Sequence, residues 1–175
     1  MVTKKCFKCN GSANIEFSHL EGPLCNSHFL NMIEKRVRKE VKDSFLEPKG
    51  EFTIFKEDNH RFHLTKYFLE RVFKSLIKLK PVSKNAQIIP TSLDIEANSF
   101  LNSFYSNKDF VDNTVKPLRG VLEKELEEVC KILDIKYTKT LVSEELDKFE
   151  GEFPGTKFSI LKSLKGYELH RRNFE

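Results

Sequence analysis

The stretch Glu51–Leu64, "EFTIFKEDNHRFHL", decides the fold. Phe52–Phe55 reads as a short strand and Lys56 onward as a loop. Arg61–Leu79 then reads as a helix, with Leu64, Phe68, Val72 and Leu76 on one stripe widened by Phe73 and Ile77. Many α/β proteins hold a phosphate in this layout, on the free amides of the helix N-terminus. Here the loop has no glycine, and Glu57 and Asp58 repel a phosphate. The layout is present without the matching chemistry.

Downstream the pattern alternates. Asn85–Thr91 reads as a second short strand and Leu93–Tyr105 as a helix capped by Ser92. "TVKPLRG" (114–120) is an extended turn, Val121–Leu133 a helix, "DIKYTKT" (134–140) extended, and "KFSILKSLKGYELH" (157–170) a closing helix. Strands alternating with helices predict an α/β fold, a truncated doubly wound parallel sheet covered on both faces. "LEPKGEF" (46–52), with Pro48 and Gly50, marks a boundary between an N-terminal appendage, residues 1–47, and a body, residues 48–175.

The length, 175 residues, suits one domain with a small appendage. Charged residues make up 32%, and no apolar run approaches the roughly 20 residues that span a bilayer. The beginning "MVTKKCFKCN" lacks a signal-peptide core, so a cytoplasmic location without membrane association is expected. The net charge of +4 is too small to imply nucleic-acid binding unless it is clustered.

The cysteines are clustered. Cys6-x-x-Cys9, fifteen intervening residues and Cys25-x-x-His28 offer four ligands on two chain segments, each pair brought together by a tight turn. Such a set suits a tetrahedral structural zinc, with bonds of about 2.0–2.3 Å and no open position for catalysis. Two buried thiol pairs or a redox dithiol are the alternatives. The helix that follows, "FLNMIEKRVRKEVKD", spaces Phe29, Ile33, Val37 and Val41 for packing. It also carries Lys35, Arg36, Arg38, Lys39 and Lys42 against Glu34 and Glu40. Contact with a phosphate backbone and a merely solvated helix face are the two readings.

Four blocks together resemble the tRNA 2-thiouridine synthetases of the PP-loop (N-type ATP pyrophosphatase) superfamily. They are the cysteine knuckle ending "LCNSHF" with its basic helix, "SLDIEANSFLNSF", "VKPLRGVLEKELEEVC" and "EFPGTKFSIL". The resemblance implies a PP-loop ATPase-like α/β body. The departures are as informative: the glycine-rich phosphate loop is replaced by Lys56–Arg61, the central cysteine pair is absent, and "TKTLVSEE" (138–145) has no cysteine. This pattern of loss is similar to the non-catalytic cytoplasmic tRNA 2-thiolation protein 2 family. It implies a pseudo-enzyme that pairs with a catalytic thiolase paralogue and helps to bind tRNA. It further implies a structural zinc on Cys6, Cys9, Cys25 and His28, with neither ATP nor an iron–sulfur cluster expected. The residues expected to bind RNA are Lys35, Arg36, Arg38, Lys39, Lys42, Lys116 and Arg119. Residual nucleotide affinity near Asp94 and Glu96, and a homodimer in isolation, stay open.

Two other classes compete. One is an enzyme: a minimal sulfurtransferase using Cys130, or a hydrolase using His60 or His63 with Asp58. Cys130 lies on the apolar side of its helix beside Glu127 and Glu128, which argues for a core thiol. The other is an interaction or regulatory module that reuses the fold.

Overall fold

The computed structural model describes residues 4–44, 47, 49–106, 114–140 and 143–172, with the side chains of the last helix described to residue 170. Of the expected boundary segment, residues 46 and 48 lie outside the described residues. So do residues 141 and 142 of the cysteine-free segment 138–145.

An N-terminal knuckle of short antiparallel bridges, Lys5 with Ser12 and Ile15 with Leu24, leads into helix α1 (Asn26–Asp43). Strand β1 (Gly50–Phe55), helix α2 (His60–Phe73), a single 3-10 turn (Lys74–Leu76) and strand β2 (Ile77–Val82) follow. β1 and β2 pair in parallel, from Gly50 opposite Ile77 to Phe55 opposite Val82. Helices α3 (Leu93–Tyr105), α4 (Glu123–Leu133), α5 (Glu144–Glu152) and α6 (Thr156–Arg172) complete the described chain.

The sheet extends beyond its two strands through single parallel bridges, Ile54 with Ile88 and Ile88 with Val115. The spatial order is therefore β2, β1, Ile88, Val115. From β1 the chain moves outward to β2 in one direction and to Ile88 in the other. The crevice at the carboxyl ends of β1 and the Ile88 segment is thus the switch point at which ligands bind in open α/β sheets.

Three elements differ from the sequence reading. The helix expected to run to Leu79 ends at Phe73, where Lys74 takes a left-handed φ of 50°. The residues Ile77, Lys78, Leu79 and Lys80 alternate with period two and pair with β1, so nearby backbone pairing overrides the 3.6-residue stripe. The strand expected over 85–91 contracts to the bridging residue Ile88 and its neighbours. Helix α5 was not foreseen, although Ser143 caps it by accepting from the amide of Leu146 and three acidic residues occupy its first turn.

The main core runs through both expected units. Cys6, Ile15 and Leu24 of the knuckle and Phe29, Ile33, Val37 and Val41 of α1 join Leu64, Phe68 and Leu69 of α2 and Leu126, Val129 and Cys130 of α4. A smaller cluster of Leu93, Leu122, Leu161 and Leu164 seats α6 on α3. No described helix is long and apolar enough to cross a membrane.

Candidate functional site

The knuckle brings its four expected ligands together. The Sγ and imidazole nitrogen atoms of Cys6, Cys9, Cys25 and His28 all lie within 4.8 Å of one another. Nδ1 of His28 is 3.3 Å from Cys25 Sγ and 3.7 Å from Cys6 Sγ, and the thiols of Cys9 and Cys25 are 3.9 Å apart. Cys25 is the N-cap of α1. Burial pushes the Cys6 thiol up. Amide hydrogen bonds from Cys25, Lys8 and Cys9 outweigh that effect and hold it down at about 6, so a metal meets a thiolate at neutral pH. The Gly11 amide lowers the Cys9 thiol, but burial and the neighbouring Cys6 and Cys25 thiols leave it raised.

A buried carboxylate ties the knuckle to the body. Glu125, fully buried on α4, takes two hydrogen bonds from Nη1 of Arg36, at 2.7 and 2.9 Å. It is also 2.9 Å from Nε2 of His19 in the knuckle, and it accepts from the Leu122 amide at 3.0 Å. Beyond it, Glu40 of α1 receives Arg119 at 3.2 Å and Lys165 at 2.6 Å, while Arg119 also clasps Glu168 of α6. Gly120 lies close beside this cluster: a Cβ there would stand 3.1 Å from Glu40 Oε1 and crowd it.

The seven basic residues expected to meet RNA therefore separate. Arg36, Lys116 and Arg119 sit in internal ion pairs, Lys116 buried against Glu96 at 3.0 Å. Lys35, Arg38, Lys39 and Lys42 are exposed and form no ion pair among the described residues. At 100° per residue these four span an arc of about 100° on one side of α1. The flanking acids are engaged elsewhere: Glu34 is bound by Arg71 of α2, Glu40 by Arg119 and Lys165, and Asp43 lies 3.5 Å from Lys165. The arc itself carries only cations.

At the switch-point crevice the chain fills the space with its own charges. Asn59 caps α2 by accepting from the Phe62 amide at 3.1 Å, and its own amide donates to Glu57. Arg61 lies between Glu57, at 3.7 Å, and Glu123, at 3.3 Å. His60, a candidate of the competing hydrolase reading, is fully buried. The Thr138 amide donates to its Nδ1 at 3.4 Å, which leaves Nε2–H to donate to Glu123 at 3.0 Å, with the Tyr137 ring stacked at 4.4 Å. Burial raises the Glu123 carboxyl, yet His60 and Arg61 bring it below its ordinary value.

Asp94 and Glu96 are buried at the start of α3. Asp94 accepts from the Glu123 amide at 2.6 Å and pairs with Lys157, which also meets Asp147. Lys157 lies within the quoted "PGTKFS" block, but nothing in its composition marks it as the buried counter-ion. Burial leaves the Asp94 carboxyl raised despite Lys157. His63 and Asp58 line a separate outer groove of about 520 Å³ beside Lys66 and Tyr67. Cys130 is buried, and burial followed by the charges of Glu123 and Glu127 pushes its thiol up to about 11.

The frame and crevice together define a mixed α/β protein with a parallel sheet, similar in fold to a solved tRNA thiolase. Along 97% of this chain and 90% of the other, the structure superposes on the U34-tRNA thiolase NcsA from Methanococcus maripaludis, solved with its [4Fe-4S] cluster, with a TM-score of 0.77 and 16% sequence identity. No family model matches the chain, and no curated protein matches it. The likeness is one of fold.

The comparison corrects the cofactor expectation, which excluded an iron–sulfur cluster. The similar thiolase holds one, and this chain gathers three cysteine sulfurs and an imidazole at a single point. Thiolates with histidine are ligands of iron–sulfur centres as well as of zinc. The spacing of two Cys/His pairs suits zinc, and it does not discriminate zinc from an iron–sulfur centre.

Proposed function

We propose that this chain acts in tRNA thiolation as a non-catalytic subunit, binding tRNA through α1 and pairing with a catalytic thiolase paralogue. The observation that carries this reading is the thiolase frame with a self-neutralised crevice. Where a phosphate would rest at the N-terminus of α2, Asn59 satisfies the free amide, and Glu57, Arg61 and Glu123 satisfy one another. A group already held in a buried ion pair is unavailable to a substrate without breaking that pair.

The Cys6, Cys9, Cys25 and His28 centre would hold its metal or cluster at the start of α1, fixing the helix that presents the cationic stripe. A metal centre so placed acts by ordering the chain, since ligand binding and folding are coupled in such sites. For the partner, the groove between α3 and α6 offers about 780 Å³ lined by Phe100, Leu101, Phe104, Phe153 and Ile160 without a charged side chain. Phe104 and Phe153 are 74% and 63% exposed, an apolar display of the kind that marks a protein contact.

Two measurements test the reading. Affinity purification of the tagged protein from its own cells is expected to recover a thiolase with an intact glycine loop together with tRNA. Recovery of neither, from folded and metal-loaded protein, overturns it. In binding titrations of purified protein with tRNA across a salt series, Lys35→Ala or Arg38→Ala is expected to lower the salt slope by about 0.7–0.9 each. An unchanged slope removes α1 from the RNA surface.

A further inference from the structure

The turn between the first two metal ligands carries an aromatic ring that the fold does not bury. Phe7, in Cys6-Phe7-Lys8-Cys9, is 53% exposed while its neighbour Cys6 is fully buried. The chain holds the ring in place from beneath. The Phe7 amide donates to the Pro23 carbonyl at 2.8 Å, and Asn10, at a left-handed φ of 59°, donates to the Cys6 carbonyl at 2.9 Å. Gly22 lies so close that a Cβ on it would stand 3.3 Å from Phe7 Cβ and 3.5 Å from the ring. The absent side chain at Gly22 is what lets the ring lie there. Exposing a large aromatic at a rigid, ligand-bearing turn costs solvation that a charged residue at the same place would not.

The surroundings are charged and exposed. Lys8 reaches over the ring, its Nζ 4.6 Å from the centroid and 3.9 Å from the exposed carboxylate of Glu21, and Lys5 is exposed on the other side of Cys6. The turn shares its metal site with His28, which stands in line with the stripe on α1. His28 precedes Lys35 by seven residues and Lys42 by fourteen. At 100° per residue His28 and Lys35 share an azimuth to within about 20°, with Lys35 about 10 Å further along the axis. The metal centre thus continues the row Lys35, Lys39, Lys42, and the Cys6–Cys9 turn is tied to that end of it by its two thiols.

We propose that Phe7 is a stacking platform for an unpaired RNA base, at the head of the phosphate-binding row on α1. A base on the ring displaces the Lys8 ammonium, which then lies next to the phosphate of the same nucleotide. Rings that accept unpaired bases in this way bind single strands in preference to duplex, with little dependence on sequence. The inference rests on the RNA-binding reading of α1 and adds to it a contact that is not electrostatic.

The chain contains no tryptophan, so Phe7→Trp introduces a single reporter. With metal-loaded, full-length protein, oligouridylate is expected to quench that fluorescence saturably, and a duplex RNA of equal length to quench it far less. Phe7→Leu keeps an apolar side chain without a π face. It is expected to retain metal content and melting temperature and to lose about 5- to 150-fold in affinity for oligouridylate, with the salt slope unchanged. If Phe7→Leu does not retain its metal, the Phe7→Trp quenching decides alone. Wild-type affinity in Phe7→Leu, or no quenching in Phe7→Trp, overturns the platform even where Lys35→Ala lowers the salt slope and the α1 reading stands. Loss of paralogue binding with RNA binding intact assigns Phe7 to a protein contact and also overturns it. Absence of RNA binding by the wild type overturns both readings.

Discussion

Glu125→Ala is the substitution that most directly tests how the knuckle is held to the body. The carboxylate is fully buried and accepts from the Arg36 guanidinium, the His19 ring and the Leu122 amide, at 2.7 to 3.0 Å. Truncation leaves three donors without an acceptor at a junction of knuckle, α1 and α4. Breaking a buried ion pair from one side costs about 3–5 kcal/mol. Arg36 keeps 24% of its side-chain surface, so water recovers part of the guanidinium's loss. The lower end, about 3 kcal/mol, is therefore expected. For a chain of this size that lowers Tm by about 6–12 °C. Glu125→Gln keeps one acceptor oxygen, enough for the Leu122 amide, but loses the charge and turns an amide donor toward the Arg36 and His19 donors, at a cost of about 1.5–3 kcal/mol. Urea unfolding of metal-loaded protein, with metal content followed in parallel, measures both, and amide exchange should show protection falling first in the knuckle loop around His19. A loss below about 1 kcal/mol for the alanine variant, with metal retained, would refute the view that this carboxylate fastens the two parts together.

Three further outcomes follow from the same geometry. Cys9→Ser or His28→Ala is expected to abolish stoichiometric metal binding and to expose the knuckle to proteolysis, read by elemental analysis and limited digestion; full metal content in either variant removes that residue from the ligand set. At pH 8 a Cys130 thiol at about 11 is only about one part in a thousand thiolate, so alkylation of folded, metal-loaded protein should leave it unmodified while the unfolded chain reacts. Rapid modification of native Cys130 would revive a nucleophilic role. Glu123 holds its proton less tightly folded than unfolded, so its stabilisation is complete above its ordinary value of 4.5 and is lost as pH falls through the lower folded value. Asp94, raised by burial, titrates in the opposite sense. Acid denaturation of Glu123→Gln should therefore lack the steep low-pH limb of the wild type, and an identical limb would place it elsewhere.

The parts of the fold legible in the sequence are those in which one periodicity dominates. Phe29, Ile33, Val37 and Val41 keep strict spacing, and all four are buried. The segment after Phe73 was illegible because Leu76 and Ile77 extend the helical stripe by one turn while Ile77 and Leu79 also satisfy a strand. Only pairing with β1 decides between the two, and that is a long-range contact. The convergence of Cys6, Cys9, Cys25 and His28 was legible from spacing, because two close pairs on separate turns have few other uses. What such a set would hold was not, since thiolate and imidazole donors serve more than one metal.

Charge was the least legible property, for a reason the helix makes plain. Lys35 and Arg36 are adjacent in sequence and about 100° apart around α1. One side chain reaches water. The other turns toward α4, where Glu125 waits below the surface and the Phe158 ring lies 5.3 Å from the guanidinium. Similarly, Lys116 and Arg119 read as a basic segment but are bound to Glu96, Glu40 and Glu168, acids that lie 20 to 79 residues away in the chain. A count of cations along the chain measures neither their exposure nor their partners. What remains after the internal pairs are removed is a narrower surface, Lys35, Arg38, Lys39 and Lys42. Because the acids that flank these four are engaged by other cations, each of the four should contribute its share to the salt dependence of RNA binding, whereas neutralising Arg36 or Arg119 should change stability first.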